Sequence, residues 1–368
     1  MEIVINREAM YRSLQFIQTI TDKKNIMPIL SNVLLDPEGS SLRLSATDLE
    51  VSVDYVIPVE TRVDGKTTVL ARKMFEIVKE LPPSDVTVSC DENHNVRIVC
   101  KSVVFRLKGL PDEEFPKFPR FNPALLSKVD SGVVRDMIDK TLYAVSVDDV
   151  QFNLSGIFVE RVPGASGIRF VGTDGHRLAL IDRELSVTLP QDRSVIIPRK
   201  GMMEIRKILQ EHDGPAELGI SENHLIVRSR HVTLYVRLID GVFPNYKDVI
   251  PKFSSKSVRI ARADFLEALR RASIVSLERF RGVRIEVTKN LLRLSSSNPD
   301  IGESEEKVEA EYVKEPFTIS FNSRYLIDVL SALSADRVLI EANDETSPVV
   351  VKDEQDEGFL AVIMPMRL

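Results

Sequence analysis

The 368-residue sequence lacks any apolar run long enough to cross a bilayer, which takes about 20 consecutive residues. Its start, MEIVI with Glu2 inside it, lacks the charged region, apolar stretch and small-residue site of a secretion signal. A cytoplasmic protein with no membrane contact is therefore expected. Cysteine is scarce: Cys90 and Cys100 flank a hairpin turn at Glu92–Asn95, one beside the turn and one at the far end. They should not face one another, which predicts two buried thiols rather than a disulfide. There is no glycine-rich phosphate loop, no Cys/His spacing suited to zinc and no nucleophile elbow, so no catalytic set, metal or cofactor is expected. Positive charge is not in excess, with 49 Lys and Arg against 55 Asp and Glu and a net charge of −6. That balance excludes a body that wraps nucleic acid with its whole surface, yet permits a local basic face. No aromatic stripe accompanies the cations, so stacking on single-stranded bases is not indicated.

What the chain does contain is repetition. Leu42–Asp48 reads LRLSATD, Ile168–Asp174 reads IRFVGTD and Leu292–Asn298 reads LRLSSSN, with starts 126 and 124 residues apart. A period this long means repeated domains rather than a solenoid. A second family of matches, ARKMFEIVKEL, PRKGMMEIRKIL and NSRYLIDVLSAL, marks one helix in each copy. Joints rich in Pro, Ser and Asn at Phe121–Leu125 and Pro251–Ser255 give domains 1–122, 128–251 and 256–368. The first copy opens with a strand and a helix capped by Asn6, with Met10, Leu14 and Ile17 at helical spacing. In the third copy Ala263, Leu266, Leu269 and Ala272 are expected to line the first helix. The fold class is α+β: three repeated domains, each with two helices packed on antiparallel sheets. If the copies continue edge to edge they form an arc, and arcs close by symmetric association.

Three features could carry function. Asp174 and His176 lie in the turn Thr173-Asp174-Gly175, where the residue types favour turn and interface chemistry over catalysis. His94 reads as an exposed turn histidine rather than a metal ligand. The helices carry Arg72, Lys73 and Lys79, then Arg199, Lys200, Arg206 and Lys207, then Arg262, Arg270 and Arg271, with Lys24 ahead of Pro28. These are either ordinary solvated faces interspersed with Glu76, Glu204 and Glu267 or a basic surface that meets phosphates without reading bases. The end VIMPMRL is either a last edge strand docked on its own domain or an adaptable, methionine-rich partner surface. A nucleic-acid-processing enzyme centred on Asp174 and His176, and a scaffold that never meets DNA, both remain open on this evidence.

TDGHRLAL (Thr173–Leu180), DGVFPNYKDVIP (Asp240–Pro251), ERFRGVRIEV (Glu278–Val287) and MPMRL (Met364–Leu368) resemble the bacterial DNA polymerase III beta subunit, the replicative sliding clamp. The resemblance covers the whole chain and implies a head-to-tail homodimer closed as a ring, with helices lining the hole. It implies no catalysis. The ring would tether polymerase to double-stranded DNA without sequence preference, so inner helices can be basic while net charge is acidic. Implied DNA-facing residues are Lys24, Arg72, Lys73, Arg199 and Lys200. Implied partners are the DNA polymerase III alpha subunit, the clamp loader delta subunit and other proteins with a clamp-binding motif. Their peptide would enter a cleft of Leu154, Thr173, Gly175, His176, Arg177, Leu178, Pro244, Val249, Phe280, Asn322, Tyr325, Met364, Pro365, Met366, Arg367 and Leu368, with His176 and Arg177 at its rim. Phe105 and Leu107, with Ile274 and Val275, match positions where protomers of the family meet. Gln151, Asp248, Thr346 and Pro348 depart from the family pattern and bear on peptide preference.

Overall fold

The computed structural model describes residues 1–21, 27–119, 121–162, 167–187, 189, 194–211, 214–221, 223–276 and 281–367. The first copy runs β1 (Glu2–Asn6), α1 (Arg7–Ile17), β2 (Asn32–Glu38), β3 (Ser41–Thr47), β4 (Val51–Pro58), β5 (Glu60–Val63), β6 (Thr67–Leu70), α2 (Ala71–Glu80), β7 (Asp85–Cys90), β8 (Asn95–Cys100) and β9 (Val103–Leu110). The second runs β10 (Ser127–Asp130), α3 (Ser131–Thr141), β11 (Gly156–Arg161), β12 (Ile168–Thr173), β13 (Arg177–Arg183), β14 (Val195–Pro198), α4 (Arg199–Glu211), β15 (Pro215–Ile220), β16 (His224–Ser229) and β17 (Val232–Arg237). The third runs β18 (Lys256–Ala261), α5 (Arg262–Ala272), β19 (Gly282–Thr288), β20 (Leu291–Asn298), β21 (Gly302–Glu311), β22 (Phe317–Asn322), α6 (Ser323–Ala332), β23 (Arg337–Ala342), β24 (Val349–Asp353) and β25 (Asp356–Ile363).

These elements fall into two compact units, Met1–Ser131 with Met203–Leu238, and Gly132–Met202 with Ile239–Leu368. In the first unit one sheet runs β10-β15-β16-β17-β4-β3-β2-β6-β9-β8-β7-β1-β5. In the second the order is β14-β11-β12-β13-β25-β24-β23-β18-β21-β20-β19-β22. The second copy is thus divided, half of its strands extending each sheet. The copies do continue edge to edge, through antiparallel seams. β17 meets β4 with Leu234 opposite Val53 and Val236 opposite Val51. β13 meets β25 with Leu178 opposite Val362 and Leu180 opposite Leu360.

Local sequence explains the helices. Asn6 caps α1 by accepting from the Glu8 and Ala9 N–H groups, and Met10, Leu14 and Ile17 are buried beneath it. Asn322 caps α6 through the Arg324 N–H. α2 ends at Glu80, ahead of Pro82-Pro83.

Several expectations need correction. Ala263 is exposed; Phe265, fully buried, takes its place with Leu266, Ala268, Leu269 and Ala272, because the large ring sets which face of α5 turns inward. Cys100 is buried but Cys90 is half-buried, and both are free. His94 is half-buried and bonds the Thr67 hydroxyl at 3.2 Å. The last strand is not an edge: β25 pairs with β13 on one side and β24 on the other.

Candidate partner-binding site

The turn joining β12 to β13 is built by its own side chains. The Thr173 hydroxyl donates to the Arg177 carbonyl at 2.6 Å and accepts the Gly175 N–H at 3.2 Å. Asp174 Oδ1 accepts the N–H groups of His176 at 2.9 Å and Arg177 at 3.0 Å. Gly175 has φ +85° with open space around it, so its need for glycine is conformational, not steric. Asp174 is therefore committed to holding the turn, and its second oxygen takes the Arg177 Nε at 3.0 Å. The His176 ring is exposed and stacks on Tyr325, centroids 6.4 Å apart and planes 17° apart.

Arg177 does not sit at a rim. It is only 9% exposed, and its Nη1 bonds Asp328 at 2.6 Å. The guanidinium carbon lies 4.7 Å from the Tyr325 ring centre and 5.6 Å from that of Tyr143. Burial alone would lower its pKa, but Asp328 and Asp174 outweigh that and hold it above its ordinary value. Tyr143 has its hydroxyl pushed well up by burial. Arg177 is thus a strut between the turn and α6, and its planar fork suits that bridging. Sequence reasoning missed Asp328 and Tyr143. The usable signal was that Asp328 follows Tyr325 by three residues and so shares its helix face.

Around this strut the structure assembles an apolar surface. Leu178 joins Val171, Leu180, Ile196, Phe243, Tyr246 and Val362 in one buried cluster, with Leu154 packed against it. Pro244 and Val249 flank Phe243 and Tyr246 in sequence and are exposed, Val249 by 41%. Beyond β25 the chain stays hydrogen-bonded: the Met364 N–H donates to the His176 carbonyl at 2.9 Å and the Met366 N–H to the Ser320 carbonyl at 2.7 Å. Met364 remains 36% exposed, Pro365 and Met366 are half-buried, and Arg367 is exposed. Asn322 is half-buried at the start of α6. Turn, tail, Tyr325 and the apolar cluster thus come together within the second unit. Phe280, Leu368 and the side chain of Gln151 lie outside the described residues. Asp248 accepts the Asn245 side-chain amide at 2.8 Å, and Thr346 bonds Asp344.

The other expected residues are elsewhere. Arg72 and Lys73 are exposed on α2, but both pair with Glu76, at 3.0 Å and 2.7 Å. Lys73 and then Arg72 hold the Glu76 carboxyl below its ordinary range. Arg199 and Lys200 are half-buried in the first turn of α4, and Lys24 lies outside the described residues. Phe105 is 38% and Ile274 76% exposed, while Leu107 and Val275 are half-buried. Among the described residues no group of three or more His, Cys, Asp or Glu could hold a metal, and no helix is long and apolar enough to cross a membrane.

Family models for the DNA polymerase III beta subunit match in succession: the N-terminal domain over residues 1–119, the central domain over 128–245 and the C-terminal domain over 247–367. The chain belongs to the DNA polymerase III beta subunit family. A beta sliding clamp of Pseudomonas aeruginosa is 34% identical over the whole of both chains, and that of Escherichia coli 33%. Among solved structures, the Pseudomonas aeruginosa beta subunit superimposes with a TM-score of 0.94 at 34% identity, covering both chains fully. A Bartonella birtlesii sliding clamp, solved bound to griselimycin, gives 0.95 at 34% identity, again over both full chains. Beta subunits are processivity factors of a DNA polymerase, not catalysts, and that is the function of this chain.

Proposed function

We propose that two copies close head to tail into a ring around duplex DNA, and that the surface formed by the turn, Tyr325 and the tail receives peptides of partner proteins. The observation that carries the ring is a pair of half-open strand edges of opposite chemistry. β9 pairs with β8 along Val103–Lys108 but with β6 only at Gly109 and Leu110. β21 pairs with β20 along Gly302–Glu309 but with β18 only at Ala310 and Glu311. Open edges invite pairing with another chain. β9 offers Arg106 and Lys108 on one face and Phe105 and Leu107 on the other, opposite the buried Ile98 and Val96. β21 offers Glu303, Glu305 and Glu309, and Ile274 with Val275 supplies exposed apolar surface in the same copy. A contact of β9 on one copy with β21 on the next is heterologous, and such contacts generate rings when the rotation closes.

The domains bounded at 1–122, 128–251 and 256–368 would then each appear twice, six domains in all around the hole. Lys24, Arg72, Lys73, Arg199 and Lys200 would meet phosphates weakly and without sequence preference, as sliding requires. Peptides of the polymerase alpha subunit, the clamp loader delta subunit and other clamp-binding proteins would insert apolar anchors beside Leu154, Leu178, Pro244, Val249 and Met364, in the cytoplasm. Met364 and Met366 suit one surface to several anchors. The test removes Met364–Leu368, which leaves β25 whole. The shortened chain should remain a dimer by sedimentation yet bind no clamp-type peptide by titration calorimetry, while the full chain, once placed by loader, should be retained on closed circular but not on linear DNA. Unchanged peptide affinity would place the site elsewhere, and equal retention on linear and circular DNA would end the ring reading.

A further inference from the structure

On the third copy, strands β19, β20 and β21 form the floor of an open cavity of about 1050 Å³, and Met366 and Arg367 close one side of it. Its size is at the upper end for ligand-binding pockets. The floor is polar: Arg284, Ser295 and Glu305 form one row across the strands, and Ser297 and Glu303 pair in the neighbouring row. Arg293 is already paired, with Glu305 at 2.5 Å and Glu286 at 3.9 Å. Arg284 and Arg367 are different: both are exposed and neither has a carboxylate partner among the described residues. They share the end of the cavity beside the tail, since β22, which the tail crosses at Ser320, pairs Ser320 with Arg284. Glu303 and Glu305 lie two strands beyond Arg284, about 10 Å away.

We propose that this groove is a second docking site, which seats an acidic segment flanking the peptide in the apolar cleft. The proposal rests on the cleft reading above. A partner carboxylate would pair with Arg284 and Arg367, and the Ser295 and Ser297 hydroxyls would bond the segment's backbone. Charge decides between this occupant and single-stranded nucleic acid. Glu286, Glu303 and Glu305 line the same cavity and would oppose a continuous run of phosphates, whereas one or two carboxylates held at the arginine end stay clear of Glu303 and Glu305 and face only Glu286, which Arg293 already approaches at 3.9 Å. Arg177, expected at the rim of the cleft, is already spent on Asp174 and Asp328. Continuity also favours a peptide, because Met366 borders both surfaces.

The experiment compares a short clamp-type peptide with versions extended by four Asp or Glu residues at either end, titrated into the full chain at low and moderate salt. One extended version should bind about 3–10-fold tighter at low salt, the yield of two exposed ion pairs. Arg284→Ala should lower that gain and Arg284→Glu abolish it, and both should leave the short peptide's affinity unchanged. If neither extension tightens binding while the short peptide binds, the groove proposal fails and the cleft stands. If the short peptide does not bind, both fail. If a thymidine oligonucleotide binds and Arg284→Glu abolishes that binding without touching the peptide gain, the groove belongs to nucleic acid and the proposal is overturned.

Discussion

Replacing Arg177 by Met tests whether the residue is a strut or a rim contact. Removing one member of a buried ion pair costs about 3–5 kcal/mol, because the remaining charge is left desolvated. Here the stranded carboxylates keep partial access to water, Asp174 with 17% and Asp328 with 28% of the side chain exposed, which brings the expected cost down to about 2–3 kcal/mol. Methionine would fill much of the volume and keep favourable contacts with the Tyr325 and Tyr143 rings, so loss of packing adds little. Urea unfolding should show that loss directly, and calorimetry a fall in Tm of about 4–12 °C. A second variant isolates the charge: Arg177→Met combined with Asp328→Leu should recover part of the loss, since an apolar pair replaces a stranded carboxylate. A single variant within about 0.5 kcal/mol of the parent would place Arg177 in solvent-screened surroundings. A double variant no better than the single would refute the pairing account.

A second cluster joins the same two copies, with Asp356 accepting from Lys140 at 2.7 Å and from Arg183 at 2.9 Å. Burial pushes the Asp356 carboxyl up, but Arg183 and Lys140 outweigh it and hold it below its ordinary 3.8. A depressed carboxyl contributes stability above its unfolded value that is lost as pH falls through the folded one. Asp356→Asn should therefore cost about 2–3 kcal/mol at pH 7 and flatten the acid limb of the stability curve below about pH 4, measured by urea unfolding across pH. Changing Ile274 and Val275 together to Asp should turn a dimer into monomers at micromolar concentration by sedimentation, since each such side chain is worth about 1.5–3 kcal/mol when buried. Neutralising Lys24, Arg72, Lys73, Arg199 and Lys200 should weaken duplex binding equally across sequences and flatten its salt dependence. Arg72 and Lys73 should each count for less than one full charge in that slope, because Glu76 already shares them.

The repeat, the capped helices and the hairpins were legible because each rests on neighbours in sequence: Asn6 bonds residues two and three positions on. β21 was not legible. Its sequence, GESEEKVEAE, buries only Val308 and Ala310, so the alternation that marks a strand is largely missing. The fate of Arg177 was equally hidden, since a charged residue in a turn reads as exposed until Asp328, 151 residues away, is brought to it. The end of the chain misled for the same reason. VIM looks like an edge because nothing local announces that β13 will lie on its far side.

The division of the second copy between two sheets has a consequence for synthesis. Every strand of the first sheet has been made once Arg237 is added, so that sheet can close while the ribosome still works. The second sheet cannot, because β25, an interior strand between β13 and β24, is the last one translated. About 126 residues separate Arg237 from Ile363, roughly 6–25 s of elongation at about 5–20 residues per second. Through that interval β13 presents an unsatisfied apolar border that only the final segment can cover. A nascent chain interrupted shortly before its end would thus carry one finished sheet and one with an interior strand missing, a natural target for chaperones and proteases.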